Sequence, residues 1–184
     1  MADDNAKRVE VGFSGGQAIA VRISESAYER LRRAVQDGKG WHELETADGL
    51  VALDVAARLA GGSLAAFDVQ QEMLDHLTRE AAGRGLDNVE TTVGDARALP
   101  YPDSSFDAAY LVTVLGEVPD QEAALRELRR VLKPGGRLVV GELALGDPHY
   151  VSSRALRERA ARAGLEFDRR FGPVVGYFAR FTRA

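Results

Sequence analysis

The chain has 184 residues, 45% of them hydrophobic and 28% charged, and no cysteine. That length and balance suit one globular α/β domain, and the missing cysteines exclude disulfides, thiolate metal sites and a cysteine nucleophile. A formal net charge of −4 offers no electrostatic footprint for nucleic acid, and no apolar run approaches the roughly 18 residues of a membrane span.

Residues 1–8 are polar and lack the apolar core of a signal peptide, so the expected location is the cytoplasm. Residues 9–13 and 17–23 alternate apolar and polar side chains around Ser14-Gly15-Gly16, which reads as an N-terminal β-hairpin. Ser26 and Glu29 form a capping box for a helix striped with Ala27, Leu31, Ala34 and Val35 and stopped by Gly38 and Gly40. Residues 41–55 admit two readings. They alternate as a hairpin about Ala47-Asp48-Gly49, or they run strand, loop and helix; Leu50, Val51, Leu53, Asp54, Val55, Ala56, Ala57, Arg58 and Leu59 favour the helix.

A short apolar strand follows at 64–67, ending in Asp68. The stripe Met73, Leu74, Leu77 and Ala81 marks a helix closed by Gly83 and Gly85. Residues 89–93 are a β-branched strand, and 106–114 a continuous apolar run of the kind buried on both sheet faces. Asp120 caps a helix whose apolar face is Ala124, Leu125, Leu128, Val131 and Leu132, and Lys133-Pro134-Gly135-Gly136 ends it. A strand at 138–140 and a helix carrying Leu156, Ala160 and Ala163 come next. Two strands, 165–170 and 175–182, close the chain around Gly172-Pro173.

Strands alternating with helices predict a single α/β domain over 1–184, with a mostly parallel sheet and helices on both faces. The short turn before the last strand makes the final pair antiparallel. Ligands bind such sheets at the carboxyl ends of the strands, so the residues just after each strand are the ones to inspect.

Those residues resemble a family. Phe67-Asp68-Val69-Gln70-Gln71-Glu72-Met73-Leu74 is similar to the second-strand motif of class I S-adenosylmethionine-dependent methyltransferases. Val93-Gly94-Asp95-Ala96-Arg97-Ala98-Leu99-Pro100 resembles the third. Phe106-Asp107-Ala108-Ala109-Tyr110 through Val118-Pro119-Asp120 resembles the fourth, and 127–136 the junction into the fifth strand. Four motifs in order make the set specific. It looks closest to small enzymes of the ubiquinone- and menaquinone-methylase type. The resemblance implies a Rossmann-like sheet, S-adenosylmethionine as cofactor and a small-molecule methyl acceptor. With the net charge, no nucleic-acid partner is expected, and a homodimer is left open. Within the resemblance, Asp68 accepts from the ribose hydroxyls and Val69 packs on the adenine. Asp95 accepts from the adenine amine beside the Ala96 amide, and Leu111 and Val112 sit by the methionine part.

The first motif departs from the family. Glu43 fits its acidic position and Gly49 its last glycine, but Glu45 and Ala47 stand where the first two glycines belong. A carboxylate about 4 Å from the cofactor's own would oppose binding by up to about 4 kcal/mol at an effective dielectric near 20, offset in part by the cofactor's positive charges. The N-terminal hairpin and helix of residues 1–40 are also atypical. Two further residues face the acceptor side in the resemblance: Glu117 after the fourth strand, and His149 in Gly146-Asp147-Pro148-His149-Tyr150, a candidate general base. His42 and His76 have no partner at metal-ligand spacing, and no metal is expected. The function expected is methyl transfer to a small molecule; the alternative is a degenerate fold that binds a partner without catalysis, as Glu45 and Ala47 suggest. A nicotinamide dehydrogenase shares the acid after the second strand, but the final antiparallel pair speaks against it.

Overall fold

A computed structural model describes residues 17–21, 51–59, 61–144, 148–172 and 176–184. Its elements in chain order are β1 (Gln17–Val21), α1 (Val51–Arg58), β2 (Ser63–Asp68), α2 (Gln71–Gly83), β3 (Val89–Val93) and β4 (Phe106–Val112). A short 3-10 turn (Leu115–Glu117), α3 (Gln121–Val131), β5 (Leu132–Leu143), α4 (Ser153–Arg162), β6 (Leu165–Phe171) and β7 (Gly176–Arg183) complete it. The strands form one sheet in the order β3-β2-β1-β4-β5-β7-β6. β1 to β5 pair in parallel, and β7 runs antiparallel between β5 and β6. The strand order reverses between β1 and β4, which places the crevice for a ligand at their carboxyl ends.

Local chemistry accounts for the elements. The Asp120 carboxylate accepts from the Ala123 amide at 2.9 Å and starts α3, whose stripe Ala124, Leu125, Leu128 and Val131 is buried. Pro134 then bars further helix and holds Lys133 extended, so the chain passes directly into β5. Ser152 caps α4 by accepting from the Ala155 amide at 3.3 Å, and Leu156 and Ala160 face inward. β2 is buried on both faces. Its Leu64 and Ala66 join Leu53, Leu74, Leu77 and Tyr110 under α1 and α2. Its Ala65 and Phe67 join the larger cluster under α3 and α4 with Leu138, Val140, Tyr177, Ala179 and Phe181. β7 alternates, with Tyr177, Ala179 and Phe181 all buried.

Two expectations at the N-terminal side fall largely outside the described residues. Of the expected hairpin, residues 17–21 are described and form β1. β2 and β4 occupy both edges of β1, each in parallel register, for example Ile19 with Ala65 and with Ala109. The other expected arm, 9–13, lies outside the described residues. The same finding bears on the strand expected to end at Glu43, because the position between β2 and β4 is filled by Gln17–Val21. Glu43, Glu45, Ala47 and Gly49 lie outside the described residues. The helix reading of the stretch that follows holds, since Val51–Arg58 is α1.

Candidate functional site

The site is assembled from strand ends. Asp68 closes β2 opposite Val93, the last residue of β3. The Gly94 amide donates to the Asp68 carbonyl at 2.9 Å, so the segments leaving the two strands stay side by side. A Cβ on Gly94 would stand 2.6 Å from the Phe67 ring, so only glycine lets the ring pack there. The Gln70 amide donates to Asp68 Oδ1 at 2.9 Å in a tight side-chain turn, which fixes one carboxylate oxygen and aims the group. Val69 between them is 67% exposed, an apolar surface unusually open to solvent.

Asp95 is held more firmly. The Arg97 guanidinium donates to both of its oxygens, with Nη2 to Oδ2 at 2.6 Å and Nε to Oδ1 at 3.0 Å, and the Arg97 amide adds a bond at 2.9 Å. These bonds lower the Asp95 pKa to about 2, keeping it an ionised acceptor. The loop beyond is pinned to α3: the Leu99 amide donates to Glu127 Oε2 at 2.9 Å, and Arg130 donates to the Leu99 and Tyr101 carbonyls.

A third wall follows β4. Thr113 turns the chain with φ 52°, and the segment beyond it folds over the strand ends. A cavity of about 180 Å³ results, lined by Phe67, Asp68, Val69 and Gln70 at and just after the end of β2 and by Gly94, Asp95 and Ala96 just after β3. Val114, Glu117, Val118 and Pro119 line its third side.

The structure thus brings together five of the expected residues: Asp68, Val69, Asp95, Ala96 and Glu117. It corrects two. Leu111 is fully buried in the core beneath α3 and α4, and Val112 packs against the opposite cluster; neither lines the cavity. β4 is still inside the sheet at those positions, and the chain reaches the cavity only after the turn at Thr113. His149 also falls away from it. It is exposed and does not line the cavity, while its backbone packs against Gly116. Sequence reading missed Phe67, Gln70, Gly94, Val114, Val118 and Pro119 as lining residues. All six lie inside the quoted motifs and could have been taken from them. Among the described residues no group of three histidine or carboxylate side chains is placed to hold a metal ion, and no helix is long and apolar enough to cross a membrane.

Paired acids at the ends of β2 and β3, beneath a wall from β4, in a sheet of this order, define a domain of the S-adenosylmethionine-dependent methyltransferase class. The family model described as "Methyltransferase domain" matches residues 45–140. The chain belongs to that family. A demethylmenaquinone methyltransferase of Thermus thermophilus is 43% identical over 121 residues, covering 66% of this chain and 52% of that protein. Among solved structures, a SAM-dependent methyltransferase from Aquifex aeolicus superposes with a TM-score of 0.73 at 19% identity, covering 93% of this chain and 84% of the other. The [4+2]-cyclase SpnF gives 0.70 at 22% identity, covering 92% and 75%. These two show the fold alone. The chain spans about half or less of the length of the curated relatives it matches first, from 36% to 52%.

Proposed function

We propose that the chain is an S-adenosylmethionine-dependent methyltransferase whose acceptor is a small quinone-type ring. The observation that supports it best is that Asp68, Asp95 and exposed Val69 line one cavity. That donor set suits an adenosine: an acid for two vicinal hydroxyls, an apolar face for a flat base and a second acid for an exocyclic amine. Of the other expected cofactor contacts, Leu111 and Val112 lie off the cavity, and Glu43 and Gly49 lie outside the described residues. The ring class of the acceptor rests on the names of relatives such as the Thermus enzyme.

The bound cofactor supplies the methyl group on a sulfonium, already a good leaving arrangement, so the protein's work is orientation and exclusion of water. Asp68 holds the sugar and Val69 covers one face of the base. Asp95, kept ionised by Arg97, accepts from the amine, and Ala96 offers its amide beside it. Val114, Val118 and Pro119 supply an apolar wall for a flat acceptor. Glu117 stands on the same wall, placed to take the proton that an aromatic carbon loses when it gains a methyl group. Calorimetry with S-adenosylhomocysteine tests the cofactor half, and methyl incorporation into reduced 1,4-naphthoquinone tests the acceptor half. Failure to bind S-adenosylhomocysteine at millimolar concentration would refute the reading.

A further inference from the structure

The wall contributed by residues 113–119 combines backbone strain with tight packing. Thr113 is β-branched, yet it sits at φ 52°, in the left-handed region that such residues avoid. It is also 93% buried, with relative exposure of 7%, and its hydroxyl has no hydrogen-bond partner. Both features disfavour the observed arrangement, and both are relieved if the backbone at Thr113 rotates.

Three contacts oppose that rotation. The Thr113 amide donates to the Gly141 carbonyl at 2.8 Å. Leu115 is fully buried in the larger core cluster. Gly116 lies so close to the turn before α4 that a Cβ there would stand 1.8 Å from the His149 carbonyl oxygen. Only glycine permits that closure. The 3-10 turn itself is held by two bonds, Glu117 amide to Val114 carbonyl at 2.9 Å and Val118 amide to Leu115 carbonyl at 3.2 Å.

We propose that residues 113–119 are a gate on the cavity, pivoting at Thr113 and latched by Leu115 and by the packing of Gly116 on His149. Strain and an unpaired hydroxyl favour opening; a buried leucine and a close backbone contact favour closing. Val114, Glu117, Val118 and Pro119 move with the gate, so opening widens the cavity on its third side. Thr113 is a positioning residue for whatever enters there. That the entrant is the methyl acceptor rests on the function proposed above; the gate itself does not.

The test uses two substitutions with opposite expected signs, read by amide hydrogen exchange on the full chain without ligand. In the parent protein the amides of Glu117 and Val118 exchange faster than those of Ala109 to Leu111 within β4. Thr113→Gly relieves the left-handed strain and favours the closed arrangement, so exchange at 117 and 118 slows by about tenfold. Gly116→Ala wedges the segment off His149, so exchange there rises while β4 is unaffected. Equal exchange in parent and Thr113→Gly, or faster exchange in Thr113→Gly, overturns the gate. Should Gly116→Ala fail to fold, Thr113→Gly decides alone. A second readout is the rate of methyl transfer to reduced 1,4-naphthoquinone. Thr113→Gly raises KM with S-adenosylhomocysteine affinity unchanged. If exchange behaves as expected but no methyl transfer occurs with either protein, the gate stands and the proposed acceptor falls.

Discussion

Replacement of Asp68 separates its role in the turn from its role toward a ligand. Asp68→Ala removes an acceptor that receives the Gln70 amide at 2.9 Å and, in the proposed function, both hydroxyls of a ribose. Hydrogen bonds to a charged acceptor contribute roughly 1.5 to 3 kcal/mol, so S-adenosylhomocysteine affinity should fall about tenfold to a hundredfold. The turn bond is a partly exposed contact, so Tm should change by only a few degrees. Asp68→Asn is the sharper variant. Its amide oxygen still accepts from Gln70, so the turn survives, but the negative charge is gone and one acceptor becomes a donor. Calorimetry should then show weakened binding by an unchanged fold, confirmed by circular dichroism. Equal affinity in parent, Ala and Asn proteins would show that Asp68 does not meet the ligand.

Three further expectations follow from the same structure and sequence. If Glu45 and Ala47 stand at the motif's glycine positions, as the family resemblance implies, the double change Glu45→Gly, Ala47→Gly should tighten S-adenosylhomocysteine binding in calorimetry by removing a like charge; no gain would separate that stretch from the cofactor. Phe181→Ala empties a fully buried position that meets Phe167 edge to face at 5.7 Å between ring centres; a loss of about 3 to 5 kcal/mol is expected by urea denaturation. Arg97→Ala should lower Tm slightly at pH 7 but not near pH 2. The Asp95 carboxyl is depressed from 3.8 to about 2 by Arg97, so its stabilisation is present above the ordinary carboxylate range and lost as pH falls through about 2. A difference that persists at pH 2 would mean that Arg97 acts through packing.

Much of the fold was legible because each later element carries its own signal. The stripe of α3, its Asp120 cap and Pro134 beyond it mark one helix without reference to anything distant. The alternation of Tyr177, Ala179 and Phe181 marks β7 in the same way. The first strand was not legible. Gln17–Val21 reads as QAIAV, five residues of small and apolar alternation, and period two looks alike in a hairpin and in the middle of a parallel sheet. Which strands fill its two edges is a property of residues some 50 and 90 positions away. In the site, Asp68 and Asp95 were found because motif acids sit at strand ends. That Leu111 and Val112 stay off the cavity was not legible, because nothing in the sequence says that a threonine will adopt φ 52°; the apolar run continues through Val114, but the strand does not.

The C-terminal strand reaches the cavity wall by a chain of contacts, and Tyr177→Phe tests it. The Tyr177 hydroxyl donates to the Val151 carbonyl at 2.7 Å, and the Val151 amide donates to Glu142 Oε2 at 3.3 Å. Burial, with Glu142 and Tyr150 nearby, raises the Tyr177 pKa, so the phenol stays a donor at neutral pH. Val151 is two residues beyond His149, whose carbonyl packs against Gly116 on the wall. Phenylalanine keeps the ring and leaves a buried carbonyl without this donor, a loss of roughly 1 to 3 kcal/mol. For a chain of this size that is about 2 to 12 °C in Tm. The loosening should be local first: amides at 148–151 and at 116–118 should exchange faster, while those of α2, on the opposite face of the sheet, keep their parent rates. A uniform rise across the whole chain would mean that the hydroxyl contributes only to global stability and that β7 has no particular hold on the wall.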